Sequence, residues 1–285
     1  MKRKLVCCLA AVIYFSGCGY QGQGYKQLEE IDSLLSHEMV DSAWNLIEHF
    51  NPWQLDEKTV AYYHLLYAQS RYKAYRPFTS DSIINLALDY YESNGDQEKL
   101  ARCYFYKGGI LLDLGKKKDA LISLKEAEKL LEPSGNDILQ HNVYLFLSSI
   151  NAIYKEDSLA LKYAKRALDC SMRTKKQVHL AYDYEKLLVI YNTLGEKDSS
   201  LYYTNHAMKV IDNIPSNPPI LRARLWGNLG VAYSSIDPER AETFLEKAIS
   251  LMPQDTFETI ALFVSTVANF SPPSPLSEIV FVTMQ

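Results

Sequence analysis

A triplet of small or apolar residues at i, i+4, i+7 recurs six times along this 285-residue chain. The triplets are Ala43/Ile47/Phe50, Ile83/Ala87/Tyr90, Ala120/Leu124/Ala127, Ala160/Ala164/Ala167, Ser200/Thr204/Ala207 and Ala241/Leu245/Ala248. Their first members lie 40, 37, 40, 40 and 41 residues apart. Each spacing puts three side chains on one helix face. A helix face that returns at a near-constant period predicts an α-solenoid, in which each unit buries its face against its neighbours. Such a chain displays a surface more readily than it assembles a reaction centre.

Each unit reads as a helix A, a tight turn and a helix B. In the third, helix A covers Leu100 to Leu114, Gly115 makes the turn, and helix B runs from Ala120 to Leu131 before Pro133-Ser134-Gly135-Asn136. A glycine there suits a left-handed helix cap. In the fifth, Leu180 to Leu194 is followed by Gly195 and by Ser199 to Ile211. The fourth has Lys155-Glu156-Asp157 where the third and fifth carry the turn glycine. Alanines at 120, 127, 160 and 167 would let helix axes come within about 8–10 Å. Tyr104 and Tyr184 would fill the space between units. Links such as Pro77 to Ser80 lengthen the period.

The N-terminus has the layout of an export signal. Lys2, Arg3 and Lys4 precede an apolar run from Leu5 to Phe15, then Ser16-Gly17-Cys18. The run falls short of the roughly 20 residues that span a bilayer. Phe15-Ser16-Gly17-Cys18 resembles the lipobox of bacterial lipoproteins, with Phe15 in place of the usual leucine. The resemblance implies removal of residues 1–17 and acylation of Cys18, with residues 18–25 as a flexible tether. Multiple acyl chains anchor stably where a single one does not. No acidic run follows Cys18, so a periplasm-facing, lipid-anchored position in the cell envelope is expected. With Cys7 and Cys8 in the signal, Cys103 and Cys170 remain as two small buried thiols, too few for a disulfide framework.

Trp226-Gly227-Asn228-Leu229-Gly230-Val231-Ala232-Tyr233, followed by Ala241, Phe244, Ala248 and Pro253, resembles a tetratricopeptide repeat (TPR). Tyr104, Gly108, Ala120 and Ala127 match the same pattern in the third unit, and Tyr184, Tyr191, Gly195 and Ala207 in the fifth. The resemblance implies an all-α fold, a right-handed α-solenoid of about six TPR-like helix-turn-helix repeats over residues 26–253. Residues 254–285 are then a partial helix and an irregular tail. Ala61-Tyr62-Tyr63 and Asp89-Tyr90-Tyr91-Glu92-Ser93-Asn94-Gly95-Asp96 are similar to the TPR lipoproteins of Bacteroidota. Longer members of that group are regarded as envelope sensors, so the chain is read as a shortened or frame-shifted member.

Residues that could carry chemistry are scattered. The six histidines, at 37, 49, 64, 141, 179 and 206, show no metal-ligand spacing with one another or with cysteine. There is no G-x-S-x-G, Walker or G-x-G-x-x-G motif. No enzyme, cofactor or metal is expected. The formal net charge of -4 argues against a nucleic-acid partner, and Lys116-Lys117-Lys118 reads as a solvated turn beside Asp119. Gly108-Gly109 falls mid-helix, where close packing explains it.

What remains is the inner wall of the stack. In TPR proteins the helix A residues two before and one after the bulky position face inward. By that resemblance Arg102, Phe105, Asn142, Leu145, Tyr182, Glu185, Asn192 and Arg224 line a groove suited to an extended peptide or a partner helix. The expected function is a membrane-anchored protein-protein interaction scaffold or envelope sensor. The alternatives are a ligand-binding lipoprotein of glycan or nutrient uptake, and a non-functional fragment of a longer TPR regulator.

Overall fold

The computed structural model describes residues 22–132, 135–214, 219–234 and 236–251. The signal segment, Cys18 and the 254–285 tail lie outside the described residues. Among those described there are twelve helices and no strand. They are α1 (22–36), α2 (Val40–Glu48), α3 (Glu57–Lys73), α4 (Ser82–Asn94), α5 (Gln97–Asp113) and α6 (Lys117–Leu131). Then come α7 (Asp137–Ile153), α8 (Asp157–Thr174), α9 (Gln177–Thr193), α10 (Lys197–Asp212), α11 (Pro219–Tyr233) and α12 (Pro238–Ser250). Odd helices are helix A and even helices helix B of successive hairpins. The chain forms two compact units, one ending at Leu147 and the other starting at Ser148, so the boundary falls within α7.

In unit 1, α5 packs along α6 and α3 along α4, and α4 in turn meets α5. In unit 2, α9 pairs with α10 and with the preceding α8, and α11 pairs with α12. Each unit is therefore built of helical hairpins that pack on their chain neighbours, as the forty-residue period requires.

The turns inside the first five hairpins share one geometry. Glu38, Tyr75, Gly115, Lys155 and Gly195 all have positive φ, between 53° and 75°. After each, a backbone N–H reaches back five residues. Met39 donates to Leu34, Arg76 to Arg71, Lys116 to Leu111, Glu156 to Asn151 and Glu196 to Tyr191, at 2.8–3.1 Å. This six-to-one bond is the Schellman closure, which satisfies a carbonyl left open at the helix end. Gly115 and Gly195 adopt it without a Cβ penalty. Lys155, Tyr75 and Glu38 adopt it despite one, at about 1–2 kcal/mol each. The fourth hairpin thus keeps the turn without the glycine, because the helices on both sides fix the chain there. At the other ends, Asp56, Asp96 and Asp237 cap α3, α5 and α12 by accepting from the N–H groups of Thr59, Lys99 and Arg240. Each such cap stabilises by about 1 kcal/mol.

The stripe on helix B is buried as expected in four hairpins. Ala120, Leu124 and Ala127, Ala160, Ala164 and Ala167, Ser200, Thr204 and Ala207, and Ala241, Leu245 and Ala248 are all inside. Opposite Leu124 stands Gly108, where a Cβ would lie 2.7 Å from Leu124 Cγ. Gly230 repeats this against Leu245 at 2.6 Å. The mid-helix glycine is therefore a docking notch for the leucine of helix B. Gly109 faces another way and leaves room for Tyr72 of α3, whose Cζ would be 2.7 Å from an added Cβ. Tyr104 reaches the preceding hairpin, its hydroxyl donating to Glu92 at 2.6 Å. Tyr184 does not bridge in this way. It packs against Tyr203 and His206 of its own hairpin.

Three expectations change. In α4 the buried residues are Ile84, Ala87, Leu88 and Tyr91, whereas Ile83 and Tyr90 are half-exposed. Ile84, Ala87 and Tyr91 sit forty positions before Leu124, Ala127 and Leu131, so the true register removes the irregular interval. Adjacent apolar pairs at 83–84 and 90–91 made the two faces equivalent to a pattern search. In the first hairpin α2 ends at Glu48, and Phe50 lies beyond it, stacked on Tyr63 at 5.4 Å. Finally, Gly22, Gln23 and Gly24, expected within the tether, form the first turn of α1. Gly24 is buried there, with Leu55 Cδ2 3.1 Å from its Cβ position. Cys103 and Cys170 are buried free thiols, as read from sequence. Burial pushes the Cys103 thiol up to about 12.

Candidate functional site

The helix A faces of unit 1 carry a polar ladder. Asp32 on α1, Gln69 on α3 and Arg102 on α5 belong to three successive hairpins. Arg102 Nη1 and Nη2 donate to both Asp32 carboxylate oxygens at 2.8 and 2.6 Å, and Nη2 also donates to Gln69 Oε1 at 2.6 Å. The Tyr62 hydroxyl donates to the same carboxylate. This is the fork geometry in which Arg binds a carboxylate most strongly. The Arg102 and Asp32 side chains are 15% and 25% exposed. Burial pushes the Asp32 carboxyl up, but the hydrogen bonds and charge of Arg102, with the Tyr62 hydroxyl, outweigh it and hold the group below its ordinary range. Burial and the Asp32 carboxylate together push the Tyr62 hydroxyl far above its ordinary value. Lys99 adds charge nearby, its Nζ 2.7 Å from Asp96 and 5.2 Å above the Tyr62 ring.

Beside the ladder lies an aromatic cluster. Phe105 is 5% exposed and meets Tyr106 and Phe146 edge-on at 5.0 and 5.2 Å. Tyr72 approaches Tyr106 at 5.9 Å and Phe146 at 6.5 Å. Asn142 and Leu145 are half-buried on α7, the helix that carries Phe146. In unit 2, Tyr182 and Asn192 are half-buried on α9 and Glu185 is buried at 8%. The side chain of Arg224 lies outside the described residues.

The groove residues read from the sequence thus have different situations. Arg102 and Phe105 serve the interior of unit 1, and Asn142 and Leu145 reach its surface. The sequence pattern gives Asp32 and Gln69 no role, and Tyr62 only a place in the Ala61-Tyr62-Tyr63 run. Arg102 follows Asp32 by 70 residues and Gln69 by 33, which is out of step with the forty-residue period. Only the length of the arginine side chain closes that gap, so no repeat register signals the contact. Chemically the ladder is a neutral clamp between helices, with three guanidinium hydrogen bonds directed inward. Among the described residues no group of three or more His, Cys, Asp or Glu side chains is placed to hold a metal ion. No described helix is long and apolar enough to cross a membrane.

No protein-family model matches the chain, and no curated protein matches it in sequence. Solved structures do. The apo form of RapI superposes with a TM-score of 0.67 at 16% identity, covering 87% of this chain and 90% of that one. A Rap protein complexed with Competence and Sporulation Factor gives 0.66 at 16% identity, covering 87% and 70%. A signal-transduction ATPase from Pyrococcus horikoshii with a tetratricopeptide repeat sensor gives 0.65 at 14% identity, covering 91% of this chain and 41% of that protein. These likenesses, with the helical hairpins described above, show a TPR-type all-α repeat fold.

Proposed function

We propose that this chain is a protein-interaction scaffold whose helix A surface takes an extended peptide or a partner helix, and that a lipid on Cys18 holds it at a membrane on the periplasmic side of the envelope. The observation that carries the binding role is the surface of unit 1 where Asn142 and Leu145 sit half-exposed on α7, on a frame fixed by the Asp32–Gln69–Arg102 ladder. An amide and an aliphatic group on a rigid helix face can read a peptide backbone and an apolar side chain together. A preformed frame also lowers the ordering cost of binding. One of the similar structures is itself a complex with Competence and Sporulation Factor, which supports this reading of the surface.

The membrane role rests on the sequence around Cys18, and an envelope sensor is the form it takes if the partner spans the same membrane. Tethering raises the local concentration of scaffold and partner without any new contact.

Capture from a membrane-extracted lysate identifies the partner, and a double Asn142→Ala, Leu145→Ala variant tests the surface. Capture about tenfold weaker, or roughly 1.4 kcal/mol, is expected; undiminished capture contradicts the assignment. Arg102 is unsuitable for that test, since changing it disturbs three hairpins at once. Cys18→Ser is expected to move the protein from the membrane fraction to the soluble fraction, and retention in the membrane contradicts the anchor.

A further inference from the structure

The first hairpin ends in an exposed apolar rim. A groove of about 530 Å³ lies between the start of α1, the end of α2 and the 50–55 loop, and its walls mix Ile31, Leu46, Phe50 and Leu55 with polar side chains such as Gln27 and Asn45. Leu46 is 45% exposed and Trp53, in the same loop, is 78% exposed. The loop is built to hold the tryptophan out. Its own N–H donates to Asn51 Oδ1 at 3.0 Å, and the next residue, Gln54, has a φ of 66°. An Asx turn followed by a left-handed residue gives the indole a fixed base instead of a free swing. The other two tryptophans, Trp44 and Trp226, are 5% and 8% exposed.

This rim lies against the first turn of α1, since the Cβ position of Gly24 is 3.1 Å from Leu55 and 3.8 Å from Phe50. Cys18 precedes Gly22 by four residues. Four residues span at most about 14 Å even when fully extended. A headgroup layer is about 5–8 Å deep, from the difference between whole-bilayer and hydrocarbon thickness. An acylated Cys18 therefore brings the start of α1, and the rim packed on it, within reach of the headgroups. Tryptophan is the side chain that favours that depth, with an apolar ring and one N–H donor. The charges around the rim are mixed, with Lys26 and Lys58 against Glu30, Glu48, Asp56 and Glu57, so anionic lipid has no particular advantage.

We propose that the rim formed by Leu46, Phe50, Trp53 and Leu55 docks onto a zwitterionic phospholipid surface and seats the first hairpin on the membrane. The proposal rests on the Cys18 anchor reading above. It makes that anchor an oriented mount, with the α1 end down.

The test follows Trp53 emission. The chain from Cys18 onward, the form that the anchor reading leaves after signal removal, is coupled through Cys18 to a maleimide phospholipid in phosphatidylcholine vesicles, so that natural acylation is not needed. The expected result is a blue shift and quenching by lipids brominated near the headgroup, independent of salt. Both effects should be lost in Trp53→Phe, which at an exposed position leaves folding intact. Emission that stays red, open to aqueous iodide and unaffected by brominated lipid overturns the docking surface, including the case in which a protein partner covers the rim instead. The mass of the Cys18 peptide from cells reports the natural anchor separately. An unmodified Cys18 removes the anchor reading, while the coupled protein still decides whether the rim meets lipid.

Discussion

The two units build the same hairpin repeat, and their described contacts differ in how many helices one side chain joins. Unit 1 uses charge: Arg102 ties three helix A elements through Asp32 and Gln69, with Tyr62 on the same carboxylate. The described contacts of unit 2 include hydroxyls, a guanidinium on backbone carbonyls and apolar packing: Arg222 donates to the Ile211 and Ile214 carbonyls at 3.3 and 2.7 Å. Ser148 donates to the Ala160 carbonyl at 2.9 Å, Ser200 to that of Leu188 at 3.4 Å, and Ser171 to the buried Asp183 carboxylate. Its far end is an apolar cluster in which Trp226 stacks on Phe244 at 5.4 Å and Tyr233 meets that ring edge-on. A hydroxyl bound to a backbone carbonyl secures two neighbouring helices. A forked guanidinium secures three, and concentrates their stability in one side chain.

Arg102→Met should give the largest effect. It leaves a mostly buried carboxylate without its partner, which costs about 3 kcal/mol. Denaturant unfolding should show the loss, and adding Asp32→Asn should recover much of it, because the unpaired charge is then gone. An Arg102→Met protein as stable as the parent would remove the ladder from the comparison.

Acid should act on unit 1 in the same direction. The native Asp32 carboxyl lies below its ordinary 3.8. The stability it contributes is therefore present above that value and is lost as pH falls through the lower native one. Thermal melts below about pH 4 should lose stability in the parent and lose less in the Asp32→Asn, Arg102→Met double variant. Equal acid sensitivity in both would contradict this source.

Each unit contains one glycine notch of this kind, at Gly108 and at Gly230. Gly108→Ala and Gly230→Ala each place a methyl group within 2.7 Å of a leucine Cγ. Overpacking of about 1–3 kcal/mol is partly offset by a helix-propensity gain of about 1. A net loss of about 1 kcal/mol in each melt is expected. A gain in stability at either position would show that the leucine moves aside freely.

An effect of similar size is expected at the turns. Lys155→Gly should stabilise the fourth hairpin by about 1 kcal/mol, since the left-handed position then carries no Cβ. Gly115→Ala should destabilise the third by a similar amount. Melting temperatures that shift in the same direction for both would contradict the shared Schellman geometry.

Local periodicity made most of the fold legible. The turn glycines 115 and 195, the alanine stripes and the Gly108 notch all express short-range rules, and each was readable from a few neighbouring residues. The α4 register was not, because Ile83-Ile84 and Tyr90-Tyr91 offer two faces of equal apolarity and only packing selects one. The start of α1 was hidden by Gly22-Gln23-Gly24, whose composition favours a tether, until Leu55 and Phe50 close over Gly24. The site was less legible than the fold. A rule that places Arg102 and Phe105 on an inner face does not reveal that Asp32, 70 residues earlier, claims the arginine. Asn142 and Leu145, which the same rule places on that face, are half-buried on α7.

Backbone hydrogen exchange on the full chain, parent against Arg102→Met, tests the ladder most directly. In Arg102→Met, α1, α3 and α5 should lose protection together while α9 to α12 keep theirs. Loss confined to α5, or spread evenly over all the helices, would contradict the ladder.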